Sequence, residues 1–256
     1  MEKLLEFRHI TKSYSGTKVL TDIDMQLRAG EVLCLVGENG AGKSTMIKIL
    51  SGAVTPDSGE IELFGQVYSH LLPRQSINLG VATIYQEIDL VDNLTVADNI
   101  FLGEELKTRL GTIDHKRQEE ITDQLLRDLN MRTIRSTMML STLSTAQKQS
   151  IQIVKALKHE ARILVLDEPT AALGEEETEA LLALVHSLAD KGIGIIYISH
   201  YLEEIFRIGT HVLVLKDGVK VSEAAVSSVT MDRLVRDMIG RDASSFYQRE
   251  SIPPGE

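Results

Sequence analysis

From the amino end, apolar and polar positions alternate over Leu4–Thr11 and again over Lys18–Leu27, with Ser15-Gly16 between them. A period of two marks strands with one buried face, so this pair predicts an antiparallel β layer. Glu31–Val36 is instead a continuous apolar run of strand length, and Ser44–Leu50 reads as a helix. The turn signal Thr55-Pro56-Asp57-Ser58-Gly59 precedes another alternating strand at Glu60–Phe64, and Gly80–Tyr85 is strand-like up to Gln86-Glu87. From there to about Glu160 the helical period dominates, over Val96–Leu102, the charged stretch His115–Leu129, and Ala146–Leu157. Strand and helix then alternate: Ile163–Leu166, Glu175–Asp190, Gly192–Ile198, Tyr201–Ile208, and a hairpin from His211–Leu215 through Lys216-Asp217-Gly218. Met231–Gly240 reads as a last helix.

Helical content gathered in mid-chain predicts a sublobe inserted into an α/β core. The expected division is a core of 1–86 and 161–240, with a helical subdomain over about 87–160. The tail 241–256, with Ser-Ser and Pro-Pro, reads as a linker. No repeat recurs at a fixed period.

Composition narrows the chemistry. The 27 basic and 37 acidic residues give a net charge of −10, which disfavours a nucleic-acid partner needing a dense cationic face. One cysteine, Cys34, lies within an apolar strand, so a disulfide within the chain is impossible and a buried small hydrophobe is expected. No secretory signal or apolar run of membrane-spanning length is present, and a soluble, cytosolic protein is expected. His9, His70, His115, His159, His186 and His211 show no metal-ligand spacing.

Two stretches carry chemistry. Gly37-Glu38-Asn39-Gly40-Ala41-Gly42-Lys43-Ser44-Thr45 fits the phosphate-binding loop template, between a strand and a helix as that template requires. Its glycines allow close backbone approach to an anion, and the helix start adds partial positive charge. Lys43 is placed to reach the β- and γ-phosphates, and the Ser44 hydroxyl to hold Mg²⁺. The second stretch is the Ile163–Leu166 strand, which delivers Asp167-Glu168 at its carboxyl end, where open α/β sheets place ligands. There Asp167 suits Mg²⁺ and Glu168 suits polarising an attacking water, with helix capping as the plainer role. Ser144 reads as an N-cap for the helix beginning near Thr145, and Tyr14 as an ordinary turn aromatic.

Taken together, the chain resembles the ATP-binding cassette ATPases from Leu4 to Gly240. Beside the phosphate loop, Gln86 matches the Q-loop, Leu143-Ser144-Thr145-Ala146-Gln147 the signature, Ile163–Glu168 the Walker B strand, and His200 the switch histidine. The implied fold is α/β: a P-loop NTPase (RecA-like) core with an N-terminal antiparallel β layer and an inserted α-helical subdomain. The resemblance gives Tyr14 an adenine-stacking role, Gln86 a place in Mg²⁺ binding and catalysis, and His200 a contact near the γ-phosphate. Ser144 is assigned to the ATP of an opposing cassette. Glu38-Asn39-Gly40-Ala41, Ile84–Glu87 with Asp92–Ile100, and Tyr197–His200 narrow the likeness to the monosaccharide-import branch, of ribose, xylose, arabinose and galactose type. There one polypeptide usually carries two cassettes, and this chain resembles the first.

The implied activity is Mg-ATP hydrolysis that energises sugar import at the cytoplasmic face of the membrane. The implied partners are a second cassette, membrane permease subunits and, indirectly, a solute-binding protein. A soluble nucleotide-dependent clamp or regulatory cassette outside transport is the alternative. Two positions depart from the wider pattern: Thr145 and Ala146 stand where two glycines are common, and Gly174 where Asp is frequent.

Overall fold

The computed structural model describes residues 2–85 and 89–239. The chain opens with β1 (Lys3–Tyr14), β2 (Thr17–Arg28), β3 (Val32–Val36) and α1 (Lys43–Leu50). Next come β4 (Ser58–Leu63), β5 (Gln66–Tyr68), α2 (Pro73–Asn78) and β6 (Val81–Ile84). Helices α3 (Val96–Phe101), α4 (His115–Asp128) and α5 (Thr145–Leu157) follow. The remainder is β7 (Ile163–Asp167), α6 (Glu175–Asp190), β8 (Gly194–Ile198), α7 (Leu202–Ile208), β9 (His211–Lys216), β10 (Val219–Ala225) and α8 (Met231–Ile239).

Two sheets result. The alternating strands form an antiparallel sheet in the order β2-β1-β4-β5, while the apolar runs form the sheet β10-β9-β3-β8-β7-β6. Within the second sheet, β9, β3, β8, β7 and β6 are parallel and only β10 runs against its neighbour. Burial on both faces explains why these strands read as continuous apolar runs. In β3, Leu33 and Leu35 pack with Leu5, Phe7, Ile23 and Ile49 in a core shared with the antiparallel sheet and α1. Val32, Cys34 and Val36 face the other way, into a core built with Leu184, Val185 and Ile205 of α6 and α7. A third cluster, with Val96, Ile100, Leu126, Leu140 and Ile151, belongs to the α3–α5 stretch.

Register brings the ends of three parallel strands to one level. Leu35 pairs with Ile198, and Leu166 with Tyr197, so β3, β8 and β7 finish side by side. The β9–β10 turn supports the loop after β3: the Gly218 N–H donates to the Ala41 carbonyl at 3.2 Å, and the Thr21 N–H to Gly218 at 2.7 Å.

Strands β1 and β2 run beyond the alternating stretches. Their ladder shifts register near His9 and Asp22, which both take left-handed φ values, of 52° and 55°. Such bulges break the two-residue period without ending the pairing. The sequence pattern did not show β5 or α2. The first has three residues, and the second is six residues long and opens on Pro73, both too short for a period to register.

Candidate active site

The chain leaves β3 at Val36 and turns through Gly37–Gly42 into α1. Glycine is demanded here by space as well as by φ. A Cβ on Gly37 would lie 2.2 Å from the Leu215 carbonyl oxygen, and one on Gly42, whose φ is 108°, 2.5 Å from Leu20 Cδ2. Gly42 is the N-cap of α1 and makes no side-chain cap bond, so the helix presents its first amides to whatever occupies the loop.

Lys43 folds back over the loop. Its Nζ donates to the carbonyls of Gly37 at 2.7 Å and Glu38 at 3.1 Å. Burial pushes its pKa down, against the opposing pull of the Glu168 and Asp167 charges. Asp167 ends β7 and Glu168 follows at φ 49°, an uncommon conformation for a residue with a side chain and one that clusters at functional sites. The Glu168 N–H donates to the Ile198 carbonyl at 2.9 Å, tying it to the end of β8. Burial, then the neighbouring Glu168 charge, raises the Asp167 pKa from its ordinary value, with Lys43 and Lys48 opposing.

These groups line one cleft of about 290 Å³, walled by Val19, Asn39, Gly40, Gly42, Lys43, Ser44, Thr45, Asp167 and Glu168. His200, in the turn after β8, meets the wall residue Glu168: its Nδ1 lies 3.4 Å from Glu168 Oε1 and its ring is against Tyr201 at 4.1 Å between centroids. Ser44 and Asp167 offer a hydroxyl and a carboxylate in the same volume, which is the oxygen donor set of a hard divalent cation. Two adjacent carboxylates facing a single lysine leave negative charge that such a cation would balance. The residues therefore fit Mg²⁺.

Other expected site residues lie elsewhere. Ala41 is buried under the loop at 4% exposure, and Gly37 and Glu38 meet Lys43 through their carbonyls. Tyr14 ends β1 outside the cleft wall, 43% exposed, with Lys12 Nζ 5.5 Å from its ring centroid. Ser144 caps α5, away from the cleft wall: its Oγ accepts from the Gln147 N–H at 3.3 Å, and Gln147 Oε1 accepts from the Ser144 N–H at 3.0 Å. Gln86 lies outside the described residues. Val19 is the wall residue that sequence reasoning missed; an apolar residue in an alternating strand gives no sign that its carbonyl lies 3.0 Å from where a Gly42 Cβ would stand. Among the described residues no His, Cys, Asp and Glu cluster forms a metal site of three or more ligands, and Cys34 is fully buried.

A phosphate loop at one strand end, with carboxylates and a histidine at the next two, defines a P-loop nucleotide-binding cassette. The family model described as ABC transporter matches residues 20–171, and the chain belongs to the ABC transporter family. It is 44% identical over 256 residues to the ribose import ATP-binding protein RbsA 1 of Rubrobacter xylanophilus, covering 100% of this chain and 51% of that protein. It is likewise 44% identical over 255 residues to the ribose import ATP-binding protein RbsA 2 of Streptomyces coelicolor, covering 100% of this chain and 49% of that one. The chain thus spans about half the length of these curated relatives. Its fold matches the ADP conformation of an ATP-binding cassette of an ABC transporter, with TM-score 0.82 and 23% identity over 94% of this chain and 100% of that one. A nucleotide-free cassette from an ABC transporter matches with TM-score 0.78 and 22% identity, covering 93% and 100%.

Proposed function

We propose that this chain binds and hydrolyses Mg-ATP and thereby energises import of a monosaccharide. The observation that carries the proposal is the convergence of Lys43, Ser44, Asp167 and Glu168 on one cleft, with His200 3.4 Å from Glu168. The sugar-import part is supported by the two ribose import relatives, each matched along the whole of this chain.

In this reading the loop amides and Lys43 receive the β- and γ-phosphates. Lys43 already points across the loop, so it exchanges two carbonyl acceptors for phosphate oxygens with little rearrangement. Ser44 and Asp167, with Gln86 through the resemblance alone, hold Mg²⁺, which when bound neutralises phosphate charge. Glu168 orients the attacking water and accepts its proton. His200 meets Glu168 from the turn after β8 and, in this reading, faces the γ-phosphate. Tyr14 stacks on adenine, and Ser144 serves the ATP of a second cassette packed head to tail.

The proposed division into a core of 1–86 and 161–240 and a helical subdomain of about 87–160 is supported by the separate α3–α5 cluster. No helix among the described residues is long and apolar enough to cross a membrane. We place the permease against a cavity of about 450 Å³ beside β6, whose walls include Ile77, Tyr85, Lys155 and His159. Tyr85 immediately precedes Gln86, so nucleotide state would be passed on there.

Glu168→Gln tests the catalytic assignment. Mg-ATP affinity should persist while turnover, measured with a second intact cassette, falls at least about 100-fold, roughly 2.7 kcal/mol of barrier. Unchanged steady-state phosphate release would remove Glu168 from the mechanism. Co-purification with ribosomes in place of a permease would favour a clamp outside transport.

A further inference from the structure

The segment that carries His200 is flanked by a buried polar pair that the catalytic assignment does not use. Tyr197 in β8 has no exposed surface, and Glu204 in α7 is only 6% exposed. The Tyr197 hydroxyl donates to Glu204 Oε2 at 2.7 Å. Around them, Cys34 of β3 pairs with Tyr197 across the sheet, and burial, then the Glu204 charge, raises its thiol pKa. Thr170, two residues beyond Glu168 and 4% exposed, turns its hydroxyl toward the same phenol but falls outside full hydrogen-bond geometry.

A carboxylate in this core is expensive. An apolar residue of similar volume would pack there without the desolvation that a charged group suffers. The pair encloses the turn that carries His200. Tyr197 precedes that turn, Glu204 follows it, and their side-chain bond closes the base of the segment between them. Inside the segment, the Tyr201 N–H donates to Ser199 Oγ at 2.9 Å, and Ser199 itself is 3% exposed. The Ile198 carbonyl, next to Tyr197, accepts from the Glu168 N–H at 2.9 Å. One buried bond therefore lies at the root of both members of the Glu168–His200 contact.

We propose that Tyr197 and Glu204 are positioning residues for ATP turnover, fixing the His200 turn against Glu168. The proposal rests on the ATPase reading above. Nucleotide affinity depends on the loop after β3, whereas the γ-phosphate chemistry depends on Glu168 and His200. Loss of the pair should thus appear in kcat and not in KM.

The test uses the full chain with its second cassette and Mg-ATP. Tyr197→Phe should lower kcat about 10-fold while KM changes less than about 2-fold. Glu204→Gln, which keeps an oxygen acceptor for the phenol, should recover most of the turnover that Glu204→Leu loses. The double variant Tyr197→Phe with Glu204→Leu removes the buried charge and the bond together. It should regain thermal stability relative to Tyr197→Phe without regaining kcat. Recovery of kcat along with stability would show that the pair only holds the core together, and would overturn the proposal. So would an unaltered kcat in Tyr197→Phe.

A second measurement is independent of turnover. The His200 ring resonances, assigned by their disappearance in His200→Ala, should shift in Tyr197→Phe and return in position with Glu204→Gln over Glu204→Leu. Unmoved resonances would overturn the proposal whatever the turnover. Absence of phosphate release in the unmodified assembly would instead reject the ATPase reading, leaving the ring resonances to decide the positional claim.

Discussion

Helices α1 and α5 both follow a short loop, and both begin at residues that the resemblance assigns to ATP, yet their first turns are finished differently. Neither carries an acidic residue in its first turn, and each has a lysine in its last, Lys48 in α1 and Lys155 in α5. In these two respects the helices treat the macrodipole alike. They differ in the charges around the start, where α1 has Lys43 facing Asp167 and Glu168, and in the cap. Gly42 leaves the start of α1 without a side-chain acceptor, while Ser144 and Gln147 close the start of α5 with a reciprocal pair of bonds. One helix start has no side-chain cap, and the other has two of its donors, the Ser144 and Gln147 N–H groups, bonded within the free chain. A phosphate at α1 meets no competing side-chain acceptor, whereas a phosphate at α5 meets a start where half of the orphan donors are already engaged.

The strongest way to break this contrast is to remove Lys43, the cation proposed to make the α1 start a phosphate site. Lys43→Ala should lower Mg-ATP affinity at least about 100-fold, or roughly 2.7 kcal/mol. A calorimetric titration of the single chain measures it. Near-normal affinity would mean that the amides of α1 suffice, and that Lys43 matters only to the loop carbonyls it now binds.

A smaller effect of opposite sign on stability is expected at Asp167. Its folded-state pKa is raised, so the stability it contributes is fully present below the ordinary carboxylate range and is lost as pH rises through the raised value. At neutral pH, without a cation, Asp167 therefore works against folding. Asp167→Asn should raise the ligand-free melting midpoint by roughly 2–4 °C, the shift that about 1 kcal/mol makes in a domain of this size. The gain should fade at acid pH, and Mg²⁺ should no longer strengthen ATP binding. A lower midpoint in the variant at neutral pH would contradict the charge argument.

Legibility in the sequence follows the same physical division. The phosphate loop is contiguous, so its nine residues display the chemistry without help from the rest of the fold. The buried strands were readable because β3, β7 and β8 are covered on both faces and carry unbroken apolar runs. The contact of Glu168 with His200 needs the β7–β8 register, which no local pattern encodes. The Tyr197–Glu204 bond was hidden for another reason. A tyrosine in an apolar strand and a glutamate near a helix start are ordinary in isolation, and only folding makes them a buried pair. The capping box at Ser144 was half visible: Ser144 announced a cap, but the reciprocal engagement of its N–H by Gln147 appears only in the structure.

That engagement sharpens what α5 can offer to an ATP on another cassette. The backbone N–H of Ser144 is bonded to Gln147 Oε1 at 3.0 Å, so a phosphate would have to displace Gln147 to use it. The Ser144 hydroxyl is different, because Oγ accepts from the Gln147 N–H while its own hydrogen remains available to donate. The hydroxyl is thus the Ser144 group that can reach a γ-phosphate without giving up the cap, beside the Thr145 and Ala146 N–H groups that the capping box does not use. Ser144→Ala removes both functions, and should cost about 1 kcal/mol of stability through the lost cap. Ser144→Thr should keep most of each. Single-chain Mg-ATP affinity should stay within about 2-fold in both variants, since Ser144 is absent from the wall of its own chain's cleft. ATP-dependent pairing, followed by sedimentation in the Glu168→Gln background, should weaken in Ser144→Ala and persist in Ser144→Thr. If Ser144→Ala lowered single-chain affinity by the same factor as pairing, the two helix starts would belong to one site, and the contrast between them would collapse.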